Sequence, residues 1–459
     1  MKKVCASHPE REKKCRKSAA EVLLRVEQRH AYTDILLDQS LKKVALSARD
    51  RALLTQLVYG TLRWKGRIDW CLSQFLHLPL SDMNAYLRTL LRLTLYQILF
   101  LDKIPDHAAV NEGVNLAKRY GGVKAGALVN GVLRKILREK DQISLPDAQE
   151  DANLYLSVLW SHPDWLVSRW LAYFGRKNTE SLLRANNEEA PLTLRTNLLK
   201  GDRESLLKRL HGIGLHVIPT PWSPQGIWVK SGSAVDRLPG FQEGLFQVQG
   251  EASQLIGYLL DPKPGERVLD GCAAPGGKTT HFAELMQGEG EIIATDISRQ
   301  GLEKLKQNVR RLELISVHPY PVDLLGGLKG RLAVPYDRIL VDAPCSGLGT
   351  LRSHPEAKWR RTERDIQRLG NLQKKLVGQL ARYLKSGGVL VYATCTLTRE
   401  ENEQVVESFL DRQPDFVLED ARDYLPREAR HLTSGKYYLA LPHKHNTDGF
   451  FAARMRKAL

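Results

Sequence analysis

The chain is short of cysteine, of acidic residues and of long apolar runs, and each shortage excludes something. Six cysteines in 459 residues (Cys5, Cys15, Cys71, Cys272, Cys345 and Cys395) are too sparse for a disulfide framework. No segment has the ~18 uncharged apolar residues that a membrane span requires. Residues 1–21 are basic without an apolar centre, so no secretory signal is expected. Together these point to a reduced, cytoplasmic compartment and to no membrane partner. Cys5, His8 and Cys15 lack a zinc-ligand spacing, and no metal site is expected. The acid shortage leaves 68 Lys+Arg against 52 Asp+Glu, a net charge of +16. Such an excess suits a polyanion, most often nucleic acid. With 42% hydrophobic and 26% charged residues, the chain can still build large cores.

The chain divides by pattern. Residues 1–17 carry seven Lys/Arg against two Glu and read as a basic, solvated arm. Residues 18–142 read as almost all helix. Leu53, Leu54, Leu57, Val58 and Leu62 share one helical face behind a Ser47–Asp50 capping pair. Leu87, Leu90, Leu91, Leu95, Ile98 and Leu99 form a second stripe. Val110, Val114 and Ala117 form a third that stops at Gly121-Gly122, and Leu128, Val129, Val132, Leu133, Ile136 and Leu137 form a fourth. The stretch LLRLTLYQILFLDKIPDHAAVNEGVNLAKRYGG, followed by ALVNGVLRKIL, resembles the NusB-like helical RNA-binding domain. Residues 143–189 read as a helical connector whose Trp160, Trp165 and Trp170 are packing residues. Residues 190–250 change to strand, helix and strand, a small α+β unit of the RNA-recognition type without base-stacking aromatics. Residues 251–459 alternate strand and helix. The apolar runs at 266–270, 291–296, 337–342 and 389–393 look like buried parallel strands of a doubly wound, Rossmann-like α/β domain.

A small-residue loop, Asp270-Gly271-Cys272-Ala273-Ala274-Pro275-Gly276-Gly277-Lys278, lies where the first of these strands gives way to a helix. It lets a ligand approach the backbone and reach free N–H groups. It is neither the dinucleotide glycine motif nor a P-loop, because Cys272 stands where the P-loop's first glycine would be. Asp296 ends the next strand, a usual place for an acid that binds ribose hydroxyls. A ribose-binding acid without a phosphate signature fits S-adenosylmethionine as cofactor. Asp323 follows the third strand-like segment, where it either reaches an adenine edge or serves as a turn residue.

Two cysteines sit at carboxyl ends of expected strands, Cys345 in Asp342-Ala343-Pro344-Cys345 and Cys395 in Ala393-Thr394-Cys395. Two thiols suit methylation of a pyrimidine at carbon 5. A thiolate adds to carbon 6, carbon 5 becomes nucleophilic, and a base then removes the carbon 5 proton so that the first thiolate leaves. An acid near ring nitrogen 3 stabilises the adduct. Asp342 is placed for this, carrying a proton or sharing one with the base, which implies a raised pKa.

Three stretches, DGCAAPGGKTTH, VDAPCSGLGTLRSHPEAKW and YATCTLTREENE, resemble motifs of the RNA cytosine-5 methyltransferases, and the closing Asp448-Gly449-Phe450-Phe451 resembles their final segment. With the NusB-like front, the architecture is similar to the bacterial small-subunit rRNA methyltransferases of the Sun/Fmu type. The resemblance implies Cys395 as nucleophile, Cys345 as the group for proton removal and product release, and Asp342 as the adduct-stabilising acid. It also implies S-adenosylmethionine held by Cys272, Ala273, Ala274, Pro275, Gly276, Gly277, Lys278, Asp296, Asp323 and Asp342. Gly271, where the family has a larger apolar residue, and Thr396, where Ser is common, are small departures. Arg352, His354, Lys358 and Trp359 are expected to hold RNA phosphates and a splayed base. The expected substrate is a cytidine of small-subunit (16S) rRNA, with no obligate protein partner. The rivals are the same chemistry on tRNA, a methyltransferase acting on an exocyclic amine, and a noncatalytic RNA-binding or assembly factor.

Overall fold

A computed structural model of the chain describes residues 8–29, 33–43, 46–230, 235 and 238–459. They form two compact units, one running to Asn187 with His354–Arg360 added, the other comprising Glu188–Ser353 and Arg361–Leu459.

The first unit is helical: α1 (His8–Arg29), α2 (Thr33–Lys43), α3 (Ala48–Arg63), α4 (Lys65–Ser73), α5 (Ala85–Phe100), α6 (Asp106–Arg138), α7 (Ala152–Leu159) and α8 (Asp164–Asn186). The expected stripes supply its core, with Leu54, Leu57, Val58, Leu90, Leu91, Leu95, Val129, Leu133 and Ile136 fully buried. Each such side chain contributes roughly 1.5–3 kcal/mol when removed from water. Leu128 departs from its stripe and is exposed. The Ser47 hydroxyl accepts from Asp50 N at 3.1 Å and caps α3. Gly121 and Gly122 break the helical geometry as expected, Gly122 with φ 72°, but helix resumes beyond them through Arg138.

The basic arm needs correction. Its first seven residues, Cys5 among them, lie outside the described residues, but helix already begins at His8. Cys15, Ala19, Val22 and Val26 fall on one face of that helix and are buried. Arg16 is buried with them and donates to Gln97 Oε1 at 2.8 Å.

Two expected RNA contacts also bond within this unit. Lys358 Nζ donates to Arg63 O at 3.0 Å and to Asn187 Oδ1 at 3.2 Å, and its side chain is buried. Trp359 Nε1 donates to Leu62 O at 2.7 Å. The last carbonyls of a helix have no partner within it, and these two side chains satisfy those at the end of α3. Burial, and then the Arg63 charge, holds the Lys358 ammonium well below the usual lysine range. Lys358 is not free to grip phosphate, because the segment that carries it is folded into the helical unit, while Trp359 has its indole N–H engaged and its ring half-buried.

The second unit opens with β1 (Leu192–Thr196), α9 (Arg203–Gly212), β2 (Val217–Pro219), β3 (Gly226–Val229) and β4 (Phe246–Val248), whose strands pair antiparallel in the order β2–β3–β1–β4. After α10 (Glu251–Leu260) come β5 (Arg267–Gly271), α11 (Gly277–Leu285), β6 (Glu291–Asp296), α12 (Arg299–Leu312), β7 (Val317–Pro321) and β8 (Tyr336–Asp342). The helical turn α13 (Ala357–Arg360) counts with the first unit. The chain returns through α14 (Glu363–Ala381), β9 (Leu384–Thr394), α15 (Glu403–Arg412), β10 (Phe416–Leu418), β11 (Thr433–Ser434), β12 (Tyr437–Ala440), α16 (Pro442–His445) and β13 (Phe450–Lys457). The large sheet runs β11–β12–β13–β9–β8–β5–β6–β7, and β10 also pairs with β13. Strands β9, β8, β5, β6 and β7 are parallel and β13 lies antiparallel to β9. From β5 the chain winds outward through β6 and β7, then restarts at β8 on β5's other side. That reversal opens a crevice at the carboxyl ends of β5 and β8, where open α/β sheets bind ligands.

The packing accounts for Gly271. A Cβ there would lie 2.8 Å from Leu380 Cδ1 and 3.2 Å from Leu340 O, so the buried Leu380 of α14 fills the space a larger residue would need.

Arg195 of β1 joins the small sheet to α11. Its guanidinium is fully buried, contacts both Glu284 oxygens at 2.6 and 3.1 Å, and donates to Gly277 O at 2.6 Å and Thr280 Oγ1 at 3.0 Å. Removing one partner of such a pair strands the other charge in a low dielectric. Arg195→Ala should therefore destabilise the second unit by about 3–5 kcal/mol, read as a lowered transition temperature in calorimetry.

Candidate active site

Strand register brings the candidate catalytic residues together. β8 and β9 pair in parallel with Asp342 opposite Ala393, so residues just beyond each strand emerge side by side at the sheet's carboxyl edge. Ala343 N donates to Ala393 O at 2.9 Å and prolongs the pairing past the strand ends. Cys345 and Cys395 follow, and their sulfurs are 3.2 Å apart. Both residues are half-buried and their thiols are free of disulfides.

The backbone holds this edge closed. Gly349 N donates to Cys395 O at 2.9 Å, and Gly449 N donates to Gly349 O at 2.8 Å. A Cβ on Gly349 would fall 2.2 Å from Gly449 O, so only glycine fits where the Pro-Cys loop, the Thr-Cys loop and the final motif meet.

Lys278, in the first turn of α11, reaches into the same edge. Its Nζ lies 2.6 Å from Asp342 Oδ2 and 5.0 Å from the centre of the Phe450 ring. Burial opposes its charge, but the neighbouring Asp342 carboxylate outweighs burial and holds Lys278 above the usual lysine range. Lys278 is the donor in this contact and the Asp342 carboxylate the acceptor. The Cys345 thiol is pushed well above the usual range by its hydrogen bond to Cys395, by burial and by the Cys395 charge.

The loop between β5 and α11 lies beside this cluster. Ala273 N donates to Thr295 O at 2.9 Å, Ala274 N to Asp296 Oδ2 at 3.0 Å, and Gly276 N to Ala273 O at 2.8 Å. Gly276 has φ 100°, the left-handed region that glycine tolerates. No side chain caps the N-terminus of α11, which leaves its first N–H groups to a ligand. Asp296 Oδ1 also accepts from Ser298 N at 2.7 Å, so the carboxylate is fixed by backbone on both sides. Asp323 is exposed and caps the turn that follows it, accepting from Leu325 N at 3.0 Å. Burial and Asp296 raise the Cys272 thiol, which packs partly buried against the sheet as a neutral group.

Asp270, the last acid of β5, is fully buried. Its Oδ2 accepts from Thr279 Oγ1 at 2.6 Å, while Oδ1 has no partner. Burial pushes its carboxyl up to about 7, against the pull of Thr279. An orphaned, buried carboxylate oxygen beside open helix N–H groups suits a ligand that carries both an ammonium and a carboxylate.

Arg352 is a further correction. Its side chain is buried and donates to Asn446 Oδ1 and Glu189 O, both at 3.1 Å, which removes it from an RNA-facing role. His354 keeps partial exposure. His443 and His445 lie in α16, and no cluster of metal-ligating side chains occurs among the described residues. Glu401 has no place among the sequence expectations. It sits within TREENE, buried, and binds the residues that follow both cysteines. Nothing in that run of acids separates Glu401 from its neighbours except its distance from Cys395.

The fold and site define a class, a Rossmann-like methyltransferase domain with paired strand-end thiols, in a chain that also carries a helical N-terminal unit. A family model described as 16S rRNA methyltransferase RsmB/F matches residues 257–456, a NusB family model matches 13–138, and a ferredoxin-like domain model of RsmF/B-like methyltransferases matches 162–236. A curated relative from Bacillus subtilis, the probable ribosomal RNA small subunit methyltransferase B, is 38% identical over 96% of this chain and 98% of its own. The crystal structure of PH0851 superposes with TM-score 0.83 and 29% identity, covering 97% of this chain and 99% of that one. NSun6 from Pyrococcus horikoshii, solved with SFG, gives TM-score 0.59 and 26% identity over 66% of this chain and all of its own. The chain belongs to the ribosomal RNA small subunit methyltransferase B family.

The raised carboxyl of Asp270 has a consequence for stability. An unfolded Asp titrates near ~3.9, so between that pH and 7 the folded state binds the extra proton. Stability from this group is therefore present at low pH and lost as pH rises through about 7. Asp270→Asn keeps the shape without the charge. Relative to wild type, this variant should gain on the order of 2 kcal/mol between pH 5 and pH 8 in paired unfolding measurements.

Proposed function

We propose that the protein transfers the methyl group of S-adenosylmethionine to carbon 5 of a cytidine in small-subunit rRNA, through a covalent bond between Cys395 and carbon 6 of the base. The observation that carries this reading is the pair of sulfurs 3.2 Å apart beside the Lys278–Asp342 ion pair. A single thiol would serve addition alone. Two in contact suit addition followed by proton removal.

When bound, S-adenosylmethionine supplies an electrophilic sulfonium methyl. Backbone groups of Cys272–Lys278 would hold its amino-acid end, with Asp270 offering its orphaned oxygen to the ammonium. Asp296 would take the ribose hydroxyls and Asp323 the adenine edge. Cys395, as thiolate, adds to carbon 6 and the ring electrons move to carbon 5. The proton shared by Lys278 and Asp342 meets the charge that develops at ring nitrogen 3. Carbon 5 then accepts the methyl group and still bears its hydrogen. Cys345 begins as a thiol because Cys395 beside it disfavours a second negative charge. Once the Cys395 sulfur is a thioether, that restraint is gone. Cys345 can then release its proton to water and take the one at carbon 5. The double bond re-forms and Cys395 departs as thiolate.

The target base must leave its stack for the thiolate to reach its face. In this proposal the helical residues 18–142 and the small unit at 190–250 hold the RNA, His354 being the expected loop contact that stays partly exposed. Residues 251–459 do the chemistry.

The test compares Cys345→Ala and Cys395→Ala with wild type, each incubated with small-subunit rRNA and S-adenosylmethionine, by denaturing gel and mass analysis. Cys345→Ala should accumulate a covalent RNA adduct and Cys395→Ala should form none. Both should lose turnover by at least about 10²-fold. Methyl transfer that survives the loss of both thiols would favour an exocyclic amine as acceptor and end this reading.

A further inference from the structure

We infer that Glu401 is a positioning residue that braces the two thiol-bearing loops against each other. The inference rests on the two-thiol reading above for its catalytic meaning, and on geometry for its content.

Glu401 is fully buried, and five donors converge on its carboxylate. Two come from Ser346, the residue after Cys345: its N–H reaches Oε1 at 2.8 Å and its hydroxyl reaches Oε2 at 2.5 Å. Gln373 Nε2 of α14 joins at Oε1 at 3.1 Å. Thr398 Oγ1 at 2.8 Å and Thr396 Oγ1 at 3.4 Å complete Oε2. Thr396 follows Cys395, and its hydroxyl also meets that of Ser346 at 2.6 Å. One carboxylate thus holds the neighbours of both thiols, from segments that are 50 residues apart in sequence. Tyr392 Oη fixes the brace from behind by donating to Glu401 O at 2.5 Å. Asn402 extends it, accepting from Thr394 Oγ1 at 2.6 Å and donating to Thr396 O at 3.0 Å, so both residues flanking Cys395 are tied.

A buried carboxylate with several good donors is held in one place, and it holds them. A hydrophobic residue at 401 would leave the Ser346 amide and three hydroxyls without the carboxylate that gathers them, and the two loops would separate. Glutamine behaves differently. Its carbonyl can take the Ser346 and Gln373 N–H groups, and its amide can donate to the hydroxyls, which accept as readily as they donate. Glu401→Gln therefore keeps the brace and removes the charge, whereas Glu401→Ala removes both. The charge matters separately, because it lies on the side of Cys345 and adds to what disfavours a thiolate there.

The experiment reads thiol proximity without using the methylation reaction. Diamide takes up the two thiol hydrogens, becoming the hydrazine, as the Cys345–Cys395 disulfide forms, and peptide mass analysis identifies the bond. Wild type and Glu401→Gln should oxidise at similar rates, and Glu401→Ala more slowly by about 10-fold or more. In methyl transfer, Glu401→Ala should lose about 10²-fold in kcat, the scale of an ångström misplacement, with S-adenosylmethionine affinity kept. In a Cys395→Ala background, Glu401→Gln should shift the pH midpoint of Cys345 alkylation downward, a change that a purely structural role would not produce. Should Glu401→Ala not fold, Ser346→Ala removes one hydroxyl leg of the brace and is read by the same oxidation assay. Oxidation at the wild-type rate in Glu401→Ala, or in Ser346→Ala where Glu401→Ala does not fold, would overturn the inference. If wild type forms no RNA adduct but the oxidation contrast holds, the carbon 5 chemistry falls and the brace stands.

Discussion

The site depends on the parallel pairing of β8 with β9. Asp342 lies opposite Ala393, and everything that acts at the edge is counted from that pair. A register slip of one residue would turn each strand's side chains to the opposite face and part the two sulfurs. The pairing is protected on both sides, by β5 against β8 and by β13 antiparallel to β9, so this edge arises from the middle of the sheet. Tight backbone contacts at Gly349 and Gly449 and the buried Glu401 carboxylate carry the strand register outward into the loops. The loops are thereby almost as fixed as the strands, which is what a reaction in two ordered proton and thiolate steps requires.

A second constraint concerns charge. Asp270, Asp296 and Asp342 lie close together with a single lysine, Lys278, paired to Asp342, and burial makes each uncompensated charge expensive. The structure resolves this unevenly. Asp342 takes Lys278, Asp296 takes two backbone N–H groups, and Asp270 is left to hold a proton near neutrality. A cationic cofactor entering such a site would relieve the Asp270 problem. The arrangement therefore reads as one tuned for occupancy rather than for stability of the empty fold.

Much of this was legible in the sequence wherever the signal was contiguous. Apolar runs ending in Asp296, Asp342 and Ala393 announced strands, and the helical stripes at 53–62 and 90–98 announced the core they form. The loop at 270–278 and the cysteines at strand ends were visible because small residues and thiols, set where an open sheet binds its ligand, seldom serve packing alone. What stayed hidden depended on residues distant in sequence. Lys358 and Trp359 look like a basic, aromatic RNA contact, yet they complete the carbonyl end of α3, nearly three hundred residues earlier. Arg352 is likewise absorbed by Asn446 and Glu189. Glu401 has the opposite history, an acid among acids in the sequence that is buried between two loops in the fold. The start of α1 is hidden in the sequence, because seven basic residues mask the apolar spacing that begins at Cys15.

The most direct measurement would use small-subunit rRNA in which cytidine is replaced by 5-fluorocytidine, incubated with wild-type protein and S-adenosylmethionine, digested, and mapped by peptide mass analysis. Fluorine at carbon 5 cannot be removed as a proton, so a base attacked at carbon 6 and methylated at carbon 5 stays attached to the enzyme. The account predicts a methylated fluorocytidine adduct on the peptide containing Cys395. An adduct on the Cys345 peptide would reverse the roles of the two thiols. Methylated RNA with no trapped protein would contradict the covalent mechanism itself.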